Sequence, residues 1–193
     1  MATLQDVNDI FGRVRRLQAR VVVTDGPGAE WKAEVPGFGM QTYKVTGMKS
    51  PSEIEDDLAA LSVWIWSLKD HFKALLPSIG RDETEVERFV DSERDLRVCS
   101  DLANGAKHLT LRISRSGQFL RAGRLRFRVP QSAIATLIVR ENEVQIDVSK
   151  PAEVTIELPV LDQAGNIVGD GISYLHNGVR AWERYSKQLG LSV

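Results

Sequence analysis

The spacing of apolar residues changes along the chain, and this change restricts the fold more than any other feature of the sequence. Up to about residue 108, apolar residues recur three and four positions apart, as in helices that bury one face. From Leu109 onward they alternate with polar residues, as in half-buried strands. Residues 171–189 return to helical spacing. This order predicts an α+β protein with segregated layers rather than alternating βαβ units.

Two long helices are predicted in the first half of the chain. Ser50 and Glu53 have the spacing of a capping box, and an apolar stripe follows as far as residue 75. A second helix is predicted over about 82–108, because acidic residues fill its first turns. The linker between the two is short and contains a proline and a glycine. We therefore expect a long antiparallel helical hairpin.

The rest of the chain contributes one more helix, a loop and a set of strands. An amphipathic helix is predicted over residues 5–20. Residues 24–50 contain Gly-Pro-Gly and Pro-Gly-Phe-Gly, which indicate a loop that could include one short strand or hairpin. Alternating segments predict an antiparallel β-meander whose strands cover 109–113, 124–129, 133–139, 143–148 and 153–161.

Together these elements predict a single two-layer domain over residues 1–193. Its helical half covers about 1–108, its strand-rich half about 109–168, and its closing helix about 171–189. A chain of 193 residues that is 42% hydrophobic can bury a core of this size, so a disordered chain is excluded.

Composition also restricts where the protein works. No run approaches the roughly 18 apolar residues that a membrane span needs, so we expect no membrane partner. Asp6 and Asp9 stand where a signal peptide would have a basic segment and an apolar run, which favours a cytoplasmic protein. Cys99 is the one cysteine, so an internal disulfide and a cysteine-based zinc site are excluded.

The sequence contains no familiar motif for a cofactor, a metal or a catalytic nucleophile. It lacks the Gly-x-x-x-x-Gly-Lys-Ser/Thr loop, the Gly-x-Ser-x-Gly elbow and the His-Glu-x-x-His pair. The three histidines, His71, His108 and His176, fall on three different predicted helices. We therefore expect no cofactor and no metal site.

Charge is distributed unevenly although the formal net charge is only -1. Residues 102–140 carry eight lysines and arginines and no aspartate or glutamate. Residues 51–101 carry the opposite excess, with thirteen acidic against six basic residues. A cationic segment of this length predicts either a binding surface for an anion or internal pairing with the acidic helices.

Four polar residues of the second predicted helix share one face. Arg97, Asp101, Asn104 and His108 follow one another at intervals of four, three and four residues. His108 could exchange a proton near neutral pH, Asp101 could orient it or pair with Arg97, and Asn104 could hydrogen-bond a phosphate or a base. The alternative is an ordinary solvated helix face.

Residues 103–108, Ala-Asn-Gly-Ala-Lys-His, resemble the motif of HEPN-type domains, helical nucleotide-associated proteins that include many ribonucleases. That motif is an arginine, often followed by a polar residue, with a histidine a few residues later. Asn104 matches the polar residue and His108 the histidine, while Ala103 stands at the arginine position. The resemblance extends over residues 50–110 at most. It implies nucleotide or RNA binding and a metal-independent ribonuclease in which His108 acts on the RNA phosphate.

A second candidate site is the arginine-rich hairpin around residues 124–129. On a strand, Arg124, Arg126 and Arg128 point to one face at a spacing of about 6.6–7 Å, which is close to the separation of successive phosphates in a nucleic acid. The alternative is that these arginines pair with the acidic helices of 51–101, within one molecule or across a dimer.

Three functions remain open. The first is a nucleic-acid or nucleotide-binding module that contacts phosphate through Arg97, Asp101, Asn104, Lys107, Arg112, Arg124, Arg126 and Arg128. The second is a non-catalytic subunit that forms a homodimer or a larger assembly through Trp64, Trp66 and the arginine-rich hairpin. The third is a ribonuclease that uses His108 as its general acid or base. We place the binding module first.

Overall fold

The computed structural model describes residues 3–108 and 112–191. Over these residues the chain is an α+β protein with antiparallel-rich sheets and a C-terminal helix, as the sequence predicts. The helices are α1 (Leu4–Arg20), α2 (Pro51–Leu75), α3 (Thr84–Ser92), α4 (Arg94–Lys107) and α5 (Gly171–Gln188). The strands are β1 (Ala29–Val35), β2 (Gly39–Thr46), β3 (Arg121–Ala122), β4 (Arg126–Arg128), β5 (Ile134–Arg140), β6 (Glu143–Val148), β7 (Thr155–Glu157), β8 (Pro159–Leu161) and β9 (Ile167–Asp170).

The chain forms two compact units, each built from separate segments. The first unit consists of the described parts of 1–20, 57–124 and 158–193, and the second consists of 21–56 and 125–157. The single two-layer domain expected from the sequence stays a prediction. The prediction that residues 1–108 form a helical half is wrong in one respect, because strands β1 and β2 lie within that range.

An aromatic cluster and a close helix contact hold the first unit together. Trp182 of α5 stacks on Phe72 of α2 with ring centroids 5.3 Å apart, and its Nε1 donates a 2.9 Å hydrogen bond to the Ile65 carbonyl. Helix α5 also approaches α4 where Gly178 faces Cys99. A Cβ atom on Gly178 would lie 2.7 Å from Cys99 Sγ, so the glycine permits this helix separation.

The second predicted helix is divided into two. Glu93 lies between α3 and α4 with an extended backbone, at φ -102° and ψ 105°. Its carboxylate accepts hydrogen bonds of 3.0 and 3.1 Å from Arg184 of α5. The prediction of one continuous helix over 82–108 is therefore wrong, and the segment expected to be the second arm of a helical hairpin is α3 followed by α4. The contact with Arg184 is a tertiary one and is invisible in local spacing.

A small sheet precedes the last helix of the first unit. Its strand order is β3-β8-β9, and both pairings are antiparallel. Asp170 ends β9 and caps α5, because its carboxylate accepts a 3.0 Å hydrogen bond from Ser173 N. The same carboxylate accepts a 2.9 Å hydrogen bond from Leu158 N, just before β8. The closing helix predicted over about 171–189 is confirmed as α5.

The second unit is built on a four-stranded sheet of order β1-β2-β6-β5. A tight turn joins β1 to β2, with Phe38 N donating to the Val35 carbonyl at 2.9 Å. Pro36 followed by Gly37 at φ 84° is the residue pair that a type II turn requires. The hairpin allowed for 24–50 is confirmed as β1 and β2. The interpretation of the rest as mainly loop is wrong, because Pro36 and Gly37 form the turn between two full strands.

Strand pairing differs from a simple meander. β5 pairs antiparallel with β6 and β1 with β2, but β2 and β6 pair in parallel across about 100 residues of chain. The strands predicted over 133–139 and 143–148 are confirmed as β5 and β6. The predicted strand over 153–161 is two strands instead, since β7 pairs with β4 while β8 belongs to the sheet of the first unit.

Two further predictions concern the segments on either side of β3. The strand predicted over 109–113 falls partly on 109–111, which lie outside the described residues, while Arg112 and Ile113 belong to no strand. The strand predicted over 124–129 is reduced to β4. None of the helices in the described ranges has the length and apolar character that crossing a membrane requires.

Candidate functional site

Asp101 is the most completely buried residue of the predicted polar stripe, with none of its surface exposed. Its Oδ2 accepts hydrogen bonds from the hydroxyls of Ser114 at 2.7 Å and Ser116 at 2.5 Å and from Leu120 N at 3.2 Å. Its Oδ1 accepts one from Arg115 N at 2.9 Å. The carboxylate therefore fixes the loop over 112–120. The assignment of Asp101 as a phosphate-site residue or as a partner of His108 is wrong, because the loop occupies its acceptor positions.

The other residues of the stripe differ from Asp101 in burial and in position. Arg97 and Asn104 are half-buried on α4, and the Nε of Arg97 has no hydrogen-bond partner among the described atoms. His108 is exposed and follows the last turn of α4 with extended backbone, at φ -133° and ψ 139°. His108 has therefore left the helix register that was expected to align it with Arg97 and Asp101.

Arg115 of the same loop is paired inside the first unit. Its guanidinium hydrogen-bonds Glu87 and, at 3.0 Å, Asp91, both on α3. Burial alone would raise the pKa of Glu87, but hydrogen bonds from Lys73 and Arg115 outweigh it and lower that pKa to about 2. For Arg115, therefore, pairing with the acidic helices is the observed arrangement.

Most other cations of the basic segment have no such partner. No described carboxylate lies within 4.0 Å of their charged groups, and their side chains are exposed. In the first unit these residues are Lys107, Arg112, Arg121 and Arg124. In the second unit the same is true of Arg126. Internal pairing thus accounts for only part of the basic segment.

The arginine-rich hairpin is partly neutralised. Arg126 and Arg128 are exposed on β4 while Phe127 between them is half-buried, so the predicted alternation is present. Glu157 on β7 lies opposite Arg126 in the register, and its carboxylate is 3.7 Å from Arg128. Arg124 precedes the strand and belongs to the other unit. Of the predicted strand row, only Arg126 and Arg128 lie on β4.

Trp64 and Trp66 do not provide free apolar anchors. The guanidinium of Arg13 lies 4.0 Å from the centroid of the Trp64 ring. Trp66 has Lys69 at 4.9 Å and Arg115 at 5.4 Å from its ring. Both indoles are half-buried and already contact cations of their own unit, so they are poorly suited to the dimer contact expected of them.

An apolar surface that the sequence analysis missed lies on the four-stranded sheet. The register aligns side chains of all four strands in two neighbouring rows on one face. The first row is Trp31, Tyr43, Val144 and Val139, and the second is Ala29, Val45, Ile146 and Leu137. We call these eight side chains the apolar face.

The apolar face is open to solvent. None of its residues is buried, and Trp31, Leu137 and Val139 are 47%, 58% and 69% exposed. Trp31 stacks on Tyr43 with ring centroids 5.3 Å apart and an interplanar angle of 11°, so the two rings present one flat surface. A sheet normally buries its apolar face against another layer.

The opposite side of the sheet has the composition of an ordinary solvated surface. In the two rows that alternate with those of the apolar face it carries charged or polar side chains at seven of eight positions, and we call this side the polar face. These residues are Glu30, Lys32, Thr42, Lys44, Arg140, Glu143 and Gln145, with Ile138 as the eighth. The sheet is therefore amphipathic, with its apolar side uncovered.

The sequence does contain the signal for this surface. Over 29–35, alanine, tryptophan, alanine and valine alternate strictly with glutamate, lysine and glutamate. The glycines that flank this segment favoured a loop assignment and concealed the alternation.

Among the residues that the structure describes, no three histidine, cysteine, aspartate or glutamate side chains are placed to hold a metal ion. The chain matches no protein-family model, no curated protein and no solved structure. The HEPN-type resemblance stays a prediction. The exposed cations and the apolar face are therefore the two features of the described residues from which a function can be argued.

Proposed function

We propose that the protein is a non-catalytic subunit of a protein assembly and that it contacts its partner through the apolar face. The observation that carries this proposal is the pair of uninterrupted apolar rows across all four strands, with Val139 69% exposed at one end. Exposed apolar patches of this kind on soluble proteins mark interaction sites.

Two further features support an interface rather than an accident of composition. Leu137 and Val139 lie on an edge strand, where soluble proteins usually place charges, and Arg140 at its end is the one charged residue of β5. Trp31 and Tyr43 are of the residue types that are enriched at the centres of interfaces. Covering these side chains would remove apolar surface from water without burying a charge.

The test is the native mass of the chain in extracts of its source cells. We compare the wild type with Leu137→Lys and with Thr136→Lys, which adds the same charge to the opposite face of the same strand. The expected result is that Leu137→Lys elutes at a smaller mass than the wild type, while Thr136→Lys does not. Equal masses for all three chains would contradict the proposal.

A second candidate function is the binding of a phosphate-bearing polyanion such as RNA. It is supported by the exposed cations of the first unit that no described carboxylate approaches, among them Arg121 and Arg124. The buried carboxylate of Asp101 holds the backbone of the loop that precedes β3. Arg121 and Arg124 therefore follow a segment whose backbone is held in place.

This second candidate is tested with a labelled single-stranded RNA oligonucleotide. Contact with three or four phosphates gives a log–log salt slope of about 2–3, and Arg121→Ala with Arg124→Ala should weaken binding at least about tenfold. The control is Arg140→Ala, because Arg140 is paired with Glu143 at 3.1 Å. Binding that ignores salt, or that falls equally in the control, would exclude this function.

The ribonuclease has the weakest support. Its general acid or base, His108, is exposed at the end of α4, and Asp101 is occupied by the loop over 112–120. Nothing in the described geometry places a second proton-transfer group beside His108. RNA cleavage that is lost in His108→Ala would reverse this ranking.

A further inference from the structure

The chemistry of the apolar face restricts what can cover it. Its eight side chains carry no charge, so a charged side chain placed on it would lose water without gaining an opposite charge. The Trp31 and Tyr43 rings add a flat surface rather than a groove for a single helix. A suitable partner is therefore a neutral, apolar and nearly flat surface, which is what another sheet face offers.

We propose that this surface is the apolar face of a second copy of the chain, packed sheet on sheet. The inference rests on the proposed function and names its partner. Two sheets pack face to face about 10 Å apart with their strands within about 30° of each other. A two-fold axis parallel to the strands places β1 of one copy over β5 of the other. Trp31, the largest side chain of the face, then lies over the smaller Leu137 and Val139 of the second copy.

Charge favours a second copy over an acidic or a basic partner. The apolar face is self-complementary, because two uncharged surfaces meet without like-charge repulsion. The charges of these strands lie on the polar face, where Glu30, Lys32 and Lys44 point away from the contact. Self-association therefore leaves every charge of this sheet outside the contact.

The area agrees with a weak but specific dimer. Four strands about 4.8 Å apart and six to eight residues long give the whole side of the sheet that carries the apolar face an area of roughly 400 Å². Two such faces, together with the relief of projecting side chains such as Trp31, bury about 1,000 Å² in total, near the lower limit for biological interfaces. A dissociation constant in the micromolar range is expected, with exchange between single chains and dimers.

Pairing of sheet edges is the other way in which two copies could join. The outer edge of β5 has no strand partner among the described residues. Edge pairing would extend the sheet, but it would leave Trp31, Leu137 and Val139 in water. Packing of the two faces covers all three, so it is the arrangement that the exposed apolar rows favour.

Sedimentation equilibrium of the full purified chain tests this proposal. The wild type is expected to dimerise with a micromolar dissociation constant, and Leu137→Lys, which places two lysines in the contact, should weaken dimerisation at least about a hundredfold. Thr136→Lys is the matched control on the polar face and should dimerise as the wild type does. Val139→Lys is a second variant at a position that is 69% exposed, so its folding is not at risk.

Each outcome decides between the possibilities. A wild type that stays monomeric at about 100 µM overturns the proposal, and so does equal weakening by Leu137→Lys and Thr136→Lys. If the purified chain is monomeric while the native mass in extracts still depends on Leu137, the partner is a different protein and the proposed function stands. If neither measurement depends on Leu137 or Val139, both proposals fail.

Discussion

The loop over 112–120 should depend on the carboxylate of Asp101. Replacing Asp101 with alanine removes the acceptor of four hydrogen bonds, two from serine hydroxyls and two from the backbone N–H groups of Arg115 and Leu120. The hydroxyls can turn toward solvent, but Leu120 is buried, and each unsatisfied buried N–H costs about 1–3 kcal/mol. We expect Asp101→Ala to lower the free energy of unfolding by about 3 kcal/mol.

Urea denaturation measures this loss. With a slope of about 2 kcal/mol/M, a loss of about 3 kcal/mol lowers the midpoint by roughly 1.5 M. Asp101→Asn keeps one acceptor oxygen, and its amide can donate to the serine hydroxyls, so it should lose only about 1 kcal/mol. Asn104→Ala, on the same helix, is the control and should lose less than about 0.5 kcal/mol. An Asp101→Ala midpoint within about 0.3 M of the wild type would refute this account of the loop.

Two further predictions concern the sheet and the acidic helix. A Cβ on Gly28, at φ 74°, would lie 1.7 Å from the Val45 carbonyl oxygen. A Cβ on Gly37, at φ 84°, would meet nothing within 4 Å. Gly28→Ala should therefore lower the urea midpoint far more than Gly37→Ala. Burial raises the pKa of Glu87, but the two cations that donate hydrogen bonds to its carboxylate lower it further, from 4.5 to about 2. The ionised Glu87 therefore contributes about 1–2 kcal/mol to the free energy of unfolding after solvent screening. This contribution is complete above pH 4.5 and is lost as the pH falls toward 2. In Glu87→Gln the free energy of unfolding should therefore change less between pH 4.5 and pH 2 than in the wild type.

Elements with strong local signals were predictable. The capping box of α2 is present, with Ser50 N donating to Glu53 Oε2 at 2.9 Å and Glu53 N to Ser50 Oγ at 3.3 Å. β6 alternates strictly, with Val144, Ile146 and Val148 separated by polar residues, and β5 is rich in the β-branched residues that favour strands. In these segments local propensity and tertiary packing favour the same structure.

Features that depend on distant residues were not predictable from spacing. The interruption at Glu93 accompanies its ion pair with Arg184, which is 91 residues away. The parallel pairing of β2 with β6 joins segments about 100 residues apart, and no periodicity records it.

The candidate site shows the same limit. Asp101 stands on the predicted helix, but the serines that occupy its oxygens arrive from a loop 13 and 15 residues later. Spacing predicts which residues share a face only as far as the helix continues, which excludes His108, and it does not show which other segment covers that face. For the apolar face, the alternation of apolar and polar residues in β1 is visible in the sequence. The register that aligns four strands into two apolar rows is not.

The most direct test of the apolar face as a self-contact is the labelling rate of a thiol placed within it. The native Cys99 is buried, and its burial raises the pKa of the thiol, so it contributes little background. We compare Val139→Cys on the apolar face with Thr136→Cys on the polar face of the same strand. At about a hundred times the dissociation constant, Val139→Cys should react about tenfold more slowly than Thr136→Cys, and the difference should vanish on dilution. Equal rates at every protein concentration would contradict the account.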